Sequence, residues 1–169
     1  MADHDGDVDT EYLLRSMSTK DLPEVMRIEQ GSYQLPWTEK IFSDCLEVGY
    51  LSLVADADGE LHGFVIFSVA VGEAHILNLC VDPAQRHCGI AEALMQQAIA
   101  NAMIHGAETM FLEVRVSNRA AISLYEKLHF VETGRRENYY NIAGSNTRRE
   151  DAVLMARDLT SVLNPIGNQ

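Results

Sequence analysis

Three places in this sequence carry residues that could do chemistry. A loop of small residues ends at Gly89 and Ala91, a carboxylate stands at Glu113 in an apolar run, and a phenol stands at Tyr125. Side chains as small as those of the loop allow a phosphate to approach the backbone itself. A carboxylate can remove a proton from an amine that is about to react. The elements that hold these residues decide what they can do.

The stretch from Leu77 to Glu92 predicts an apolar strand, a turn and a loop that opens a helix. The apolar residues that follow recur at the spacing of one helix face, namely Ala91, Leu94, Met95, Ala98, Ile99, Ala102 and Met103. Gly106 is placed to end that helix. The first N–H groups of a helix lack internal partners and carry partial positive charge, so an anion fits there. The pattern indicates a pyrophosphate cradle, although many ordinary strand-to-helix turns look similar.

Other chemistries of this loop fit less well. No Gly-Lys-Ser/Thr follows, as a P-loop requires, and the full Gly-x-Gly-x-x-Gly of a dinucleotide-binding loop is missing. Cys88 raises a rival mechanism, since a thiol at a helix N-terminus can become a nucleophile and accept an acyl group. His87 is its one histidine neighbour, and we expect backbone rather than side chains to face the ligand.

Glu113 lies on a predicted strand from Met110 to Arg115. An amine cannot attack an acyl carbon while it is protonated, and an α-amino pKa of roughly 7.7 to 8.0 leaves only about a tenth neutral at pH 7. One carboxylate, directly or through a water, can remove that proton. The alternative is structural, because Glu113 and Arg115 share a strand face and could form an ion pair.

Tyr125 lies on a predicted helix that follows two cap-type residues, Ser117 and Asn118. A tyrosine often simply packs on a buried helix face, and three apolar neighbours supply one, namely Ala121, Leu124 and Leu128. Asn118 could likewise serve as a helix cap and nothing more. The residues alone leave both possibilities open.

Several segments stand in an order typical of one superfamily. They are Arg86–Ala91, Leu112–Arg115, Ser117–Asn118, Leu124–Leu128 and Phe130, with Ile28–Gln30, Pro36–Glu39, Asn138–Tyr140 and Arg149–Ala152 outside that core. This order resembles the GNAT superfamily of N-acetyltransferases and, more closely, its RimI-like branch, the ribosomal-protein-alanine N-acetyltransferases. The likeness covers roughly residues 12 to 158. The Pro-Trp and Asn-Tyr-Tyr elements are more selective for that branch than the loop.

The resemblance implies the α/β (α+β) GNAT fold, a mixed central sheet flanked by helices, with two splayed middle strands that accommodate the pantetheine arm of acetyl-CoA. It implies that Glu113 is the general base and that Tyr125 protonates the departing thiolate. With pKa values of ~10 for a phenol and ~8.5 for a thiol, that transfer is uphill by about 2 kcal/mol, a modest penalty. No metal is implied. The implied acetyl-CoA contacts are Leu79, Cys80, Val81, Arg86, His87, Cys88, Gly89, Ile90, Ala91, Glu92 and Asn118.

Composition is typical of a small soluble enzyme. The chain has 169 residues, of which 47% are hydrophobic and 22% charged, which suits one globular domain. Its longest apolar stretch, around Phe64 to Val71, is far shorter than the ~20 residues that span a bilayer, and no signal sequence opens it. Three cysteines without C-x-x-C spacing indicate neither a disulfide framework nor a zinc site. We expect a cytoplasmic monomer that does not bind a membrane.

The net charge of −12 argues against nucleic acid as a direct ligand and favours a basic partner. Five acidic residues among the first eleven account for five of these charges, so the remainder is acidic too. We expect residues 1–11 to form an acidic disordered tail, residues 12–158 a single N-acetyltransferase domain, and residues 159–169 a polar C-terminal tail.

Local signals predict the remaining elements. Ser18 and Asp21 form a capping-box pattern that opens a helix to about Glu29. The dipeptide Asp58-Gly59 between two apolar runs predicts a hairpin. The other predicted elements are a strand at Tyr12–Met17, a Thr38-capped helix through Leu46, a strand from Phe130 and a last strand at Ala152–Ala156.

Two features depart from the family. His129 stands where Gly usually ends the preceding helix in a left-handed conformation. The loop from Asn141 to Arg148 is a few residues longer than in the nearest relatives. Because it follows Tyr139 and Tyr140, which we expect to border the peptide site, peptide preference could differ.

These observations favour acetyl-CoA-dependent Nα-acetylation by direct transfer in a ternary complex. The resemblance implies, as substrate, the basic N-terminus of the eighteenth small-subunit ribosomal protein, which begins with alanine. The first alternative is a related acetyltransferase for other protein N-termini, lysines or small amines. The second is a non-catalytic acetyl-CoA-binding module that regulates a partner, although a binding module needs neither Glu113 nor Tyr125.

Overall fold

The computed structural model describes residues 11–161. Its seven strands are β1 (Leu13–Ser16), β2 (Leu51–Ala57), β3 (Glu60–Ala70), β4 (Glu73–Val81), β5 (Thr109–Arg115), β6 (Val131–Asn141) and β7 (Arg149–Asp158). Its helices are α1 (Leu22–Ser32), α2 (Glu39–Glu47), α3 (Ile90–Ile104) and α4 (Arg119–Lys127). No helix within these residues is long and apolar enough to cross a membrane.

One mixed sheet contains all seven strands in the order β1-β2-β3-β4-β5-β7-β6. Neighbouring strands are antiparallel except β4 and β5, which are parallel and are joined by the crossover helix α3. Parallel neighbours need such a crossover because the chain must return to the opposite end of the sheet before the second strand begins, and a tight turn cannot span that distance. The predicted mixed α/β sheet flanked by helices is confirmed.

The two central strands separate partway along their length. Within the described residues, β4 and β5 pair only from Glu73 to His75 and from Thr109 to Phe111, so their C-terminal halves diverge. On its other edge, β4 carries one extra residue, Leu77, where the register against β3 shifts. A bulge of this kind bends a strand and increases its twist. The result is the expected gap in the middle of the sheet.

Each face of the sheet packs against helices through its own hydrophobic cluster. Helix α3 buries its apolar stripe on one face, with Leu94, Met95 and Ala98 fully enclosed. Helices α1 and α2 cover the other face through Val25, Ile28, Phe42 and their neighbours. Most of the stability of helices this short comes from that packing rather than from intrinsic propensity. The gap therefore opens in a sheet that is packed on both faces.

Most local expectations agree with the structure. Asp58 and Gly59 both have positive φ, as a tight hairpin turn requires, and His129 itself adopts the left-handed conformation with φ of 67°. Ser18 and Asp21 form the capping box around a short 3-10 turn, after which α1 continues to Ser32 rather than ending near Glu29. This longer helix places Glu29 beside the gap instead of at a helix end.

The chain ends need one correction. Leu159, which the prediction assigned to a polar C-terminal tail, is buried in the core, and its N–H donates to Glu108 O at 2.8 Å. The domain therefore extends one residue further than expected. Of the predicted tails, residues 1–10 and 162–169 lie outside the described residues.

Candidate active site

The loop before α3 has the geometry of an anion cradle. Gly89 precedes the helix with φ of 77°, and no heavy atom beyond its two chain neighbours lies within 4 Å of the place where a Cβ would stand. His87 is also left-handed, with φ of 63°. The first helical hydrogen bond runs from Ala93 N to Gly89 O at 3.0 Å. The N–H groups before it are the ones that an incoming phosphate can use, so the loop fits the pyrophosphate of a coenzyme.

The side chains around this loop leave its backbone accessible. The Cys88 thiol is exposed and lies 3.5 Å from Arg86 O. Glu92 Oε2 accepts from Lys127 Nζ at 2.6 Å, so α4 supplies a positive charge beside a carboxylate that would otherwise repel an anion. Ile90, the first residue of α3, is buried, and Ala91 is the second residue of that helix.

The three predicted acetyl-CoA contacts on β4 lie in its C-terminal half, which pairs with β3 but not with β5. Leu79 O accepts from the hydroxyl of Tyr33 at 2.8 Å. Cys80 is buried, and burial raises the pKa of its thiol to about 11, so it remains a neutral packing residue. Val81 pairs with Gly63 of β3. A Cβ at Gly63 would lie 2.9 Å from Cys80 O, so only glycine allows β4 to approach there.

Two cavities open from the gap, a large one of about 620 Å³ and a small one of about 260 Å³. They share five lining residues, namely Trp37, Ile76, Leu77, Glu113 and Tyr140. Tyr125 and Asn118 line the small cavity, whereas Arg136 and Tyr139 line the large one. Glu113 therefore lies at the wall between two cavities, where a group in either one could reach it.

Glu113 does not form the ion pair that offered the structural alternative. Arg115 Nη1 donates instead to Glu150 Oε1 at 2.8 Å, and its guanidinium lies 4.5 Å from the centre of the Tyr140 ring. The nearest cation to Glu113 is Arg136, whose Nη2 lies 3.5 Å from Oε1. A half-exposed pair at that distance is weak, so the carboxylate is available to an incoming amine.

Tyr125 packs in the core and also lines the small cavity. It is 7% exposed and packs against Phe130 with ring centres 5.9 Å apart, yet it lines the small cavity. Burial raises its pKa above the ordinary value. The phenol is therefore protonated at neutral pH, but it is a weaker acid than the value of ~10 assumed from sequence. A thiolate in the same apolar gap would be desolvated too, which raises its basicity in parallel.

Asn118 is a helix cap and a cavity residue at once. Its Oδ1 accepts from Ala121 N at 3.2 Å at the start of α4, and the residue lines the small cavity beside Tyr125. The cap fixes the orientation of the helix that carries Tyr125. Ser117, the other candidate cap, precedes this position.

A bulge in β6 brings Tyr139 and Tyr140 over Glu113. Between Arg136 and Tyr140 the strand advances four residues while β7 advances two. Asn138 adopts φ of 52° in the middle, and its N–H donates to Asp151 Oδ1 at 2.9 Å. The Glu113 carboxylate beside it raises the pKa of Tyr139, and burial raises that of Tyr140 to about 12. Both phenols thus remain protonated donors at the rim of the large cavity.

Glu29 lines the small cavity, and sequence reasoning did not identify it as a site residue. The residue is 1% exposed, and its carboxylate accepts from Trp37 N at 2.9 Å and from Asn78 Nδ2 at 3.1 Å. Burial raises the pKa of Glu29, and these two hydrogen bonds oppose the rise. The signal in the sequence is a carboxylate on the apolar stripe of α1, four residues after Val25.

A family model corresponds to this arrangement. The model of the acetyltransferase (GNAT) family matches residues 19–130, which include the loop, the splayed strands, Glu113 and Tyr125. The chain belongs to the GNAT family. Members of this family are acetyltransferases, and this chain is one of them.

Curated GNAT relatives are similar over most of their length. The ribosomal protein bS18-alanine N-acetyltransferase of Escherichia coli is 39% identical over 143 residues, which is 85% of this chain and 95% of the relative. The one from Salmonella typhimurium is 41% identical over 140 residues, 83% and 93% of the two chains. The crystal structure of the E. coli ribosomal-protein-S18-alanine N-acetyltransferase has a TM-score of 0.81 at 38% identity, covering 88% of this chain and 94% of that one.

Proposed function

We propose that this protein transfers the acetyl group of acetyl-CoA to the N-terminal alanine of ribosomal protein bS18. Direct transfer would take place in a ternary complex, with the coenzyme in the small cavity and the peptide end in the large one. The relatives named for this reaction support the substrate. The observation that carries the proposal is the position of Glu113 on the wall that both cavities share.

Two separate groups of residues would bind the two parts of the coenzyme. The cradle at Arg86 to Glu92 would hold the pyrophosphate, mainly through backbone N–H groups at Gly89 and the start of α3. The free half of β4, at Leu79 to Val81, would pair with the pantetheine arm as a strand pairs with a sheet edge. Bound in this way, acetyl-CoA supplies a thioester as the acyl donor.

Two side chains then move the protons. Glu113 would take the proton of the α-ammonium group, directly or through a water, so that the nitrogen can attack the acetyl carbonyl. As the new C–N bond forms and the C–S bond breaks, Tyr125 would give its proton to the departing thiolate. The second proton that the nitrogen loses on becoming an amide would restore the phenol, directly or through water. Asn118 fixes the helix that carries Tyr125. This division follows the cavity boundary, since Tyr125 lines the small cavity and the peptide end would enter the large one.

The Cys88 route is less well supported by the geometry. A ping-pong mechanism would need this thiol beside both the thioester and the amine. Cys88 lines neither cavity and lies on the cradle loop, where its sulfur faces Arg86 O. Transfer between adjacent cavities needs no such intermediate.

The substrate is tested with peptides that differ only at their ends. We expect a peptide that begins with free alanine followed by arginine-rich sequence to be the best acceptor, because the large cavity admits a chain end beside Glu113. Blocking its α-amine should stop the reaction even when lysine side chains remain. Mass spectrometry of the products would locate the acetyl group. Preferential acetylation of internal lysines or of a small amine would assign the protein to another class of acetyltransferase.

Charge should also affect the choice of peptide. The chain carries a net charge of −12, of which −7 remains without the first eleven residues. Raising salt should therefore increase the apparent KM for arginine-rich peptides more than for neutral ones, because attraction between exposed charges is screened within about 10 Å at 0.1 M salt. Steady-state kinetics with a neutral peptide of the same first residue is the control, and equal salt effects on both peptides would contradict the expectation.

A further inference from the structure

One hydrogen bond links the start of the α1–α2 loop to the free edge of β4. Tyr33, the first residue after α1, has extended backbone, and its N–H donates to Glu29 O at 3.0 Å. Its hydroxyl donates to Leu79 O at 2.8 Å. Leu79 lies beyond His75, where pairing with β5 ends. A side chain thus donates to an acceptor that a strand partner would otherwise use.

The loop that carries Tyr33 is fixed at a second point. Glu29 accepts from the backbone of Trp37 and from the side chain of Asn78, which is the neighbour of Leu79 on β4. Tyr33 is therefore held in place by α1 at one end and by the Trp37 anchor at the other. Because burial raises the pKa of Tyr33, its phenol stays protonated and remains a donor.

We propose that the Tyr33 hydroxyl competes with the pantetheine arm of acetyl-CoA for the carbonyl of Leu79, and so sets the affinity of the donor site. This inference rests on the proposed function, in which the arm pairs with the free edge of β4. Tyr33 lines the same small cavity as Tyr125 and Asn118, so an arm in that cavity must pass it. An amide that pairs with Leu79 must share or displace the phenol.

The substitution Tyr33→Phe removes the competing donor and keeps the ring. We expect the Kd for acetyl-CoA to fall about 3- to 10-fold, the size of one modest net hydrogen bond, while kcat stays within about twofold. Binding is measured by the fluorescence of Trp37, the single tryptophan of the chain, which lines both cavities. Its fluorescence is titrated with acetyl-CoA, and circular dichroism checks the fold.

Two matched controls isolate the effect. Tyr50→Phe removes a hydroxyl from a partly exposed tyrosine that lines neither cavity, and it should leave the Kd unchanged. Adenosine 3′,5′-bisphosphate lacks the pantetheine arm, so its affinity should be equal for wild type and Tyr33→Phe.

Each other outcome overturns the inference. Weaker acetyl-CoA binding in Tyr33→Phe would show that the hydroxyl holds the arm instead of competing with it. An unchanged Kd would show that Leu79 O accepts from both the Tyr33 hydroxyl and the pantetheine arm, or from neither. An equal gain for adenosine 3′,5′-bisphosphate would place the effect outside the arm. Wild-type titration separately tests the proposed function, because absence of acetyl-CoA binding there would remove the donor site itself.

Discussion

Glu113→Gln should lower turnover by about 100-fold or more, the usual contribution of a general base. The amide keeps the size and shape of the side chain but cannot accept the proton of the α-ammonium group. Much of the loss should be recovered at about pH 9.5, where an amine with a pKa of roughly 7.7 to 8.0 deprotonates without help. Steady-state rates from pH 6 to 10 for both enzymes would show the two profiles converging at high pH.

Two control variants test whether the loss of turnover is specific to the Glu113 carboxylate. Glu126→Gln makes the same change on the exposed side of α4, away from both cavities, and should leave turnover intact. Cys88→Ala removes the rival nucleophile and should also leave turnover nearly intact. Full activity in Glu113→Gln, together with loss of activity and loss of an acetylated thiol intermediate in Cys88→Ala, would replace direct transfer with a ping-pong route.

Gly89→Glu should abolish detectable binding of acetyl-CoA while the fold persists. Open space surrounds the Cβ position, so the new side chain meets no protein atom there. It instead places bulk and negative charge where the pyrophosphate would lie, and it repels that group. A non-glycine residue at φ of 77° costs about 1–2 kcal/mol, less than the stability of an ordinary domain. Isothermal calorimetry with acetyl-CoA would measure the affinity.

The same helix provides a control for strain. Gly106, at the far end of α3, has φ of 85° and equally open surroundings. Gly106→Glu therefore introduces the same side chain at similar backbone cost, far from the cradle, and should keep wild-type affinity. Gly89→Ala adds the strain without the charge and should bind with intermediate affinity. Unchanged affinity in Gly89→Glu would contradict the proposal that this loop binds the pyrophosphate.

Much of the fold could be predicted because its signals are local. The apolar stripe of α3, the Asp58-Gly59 turn and the Asn118 cap each occupy a few neighbouring residues, and each appears in the structure. Helix α1 continues three residues past its predicted end at Glu29 and includes Gly31. Burial of Val25 and Ile28 against the sheet stabilises the longer helix, and that packing depends on residues distant in sequence.

The charge pairing of the candidate site could not be predicted in the same way. Alternation along β5 correctly places Glu113 and Arg115 on one face, but it does not identify their partners. Arg115 pairs with Glu150 because β7 lies beside β5, and Arg136 approaches Glu113 because β7 pairs with β5 on one edge and with β6 on the other. Strand order sets these contacts, and it involves residues far apart in sequence. The roles of Glu113 and Tyr125 stay predictions that await the variants above.

The central claim is that this GNAT protein acetylates the N-terminal alanine of bS18. Mass spectrometry of intact ribosomal proteins, from cells with and without the gene for this chain, tests it most directly. We expect bS18 to lose the mass of one acetyl group when the gene is absent, and to regain it with the wild-type gene but not with Glu113→Gln. Fully acetylated bS18 in cells without the gene, with another protein losing an acetyl group instead, would contradict the account.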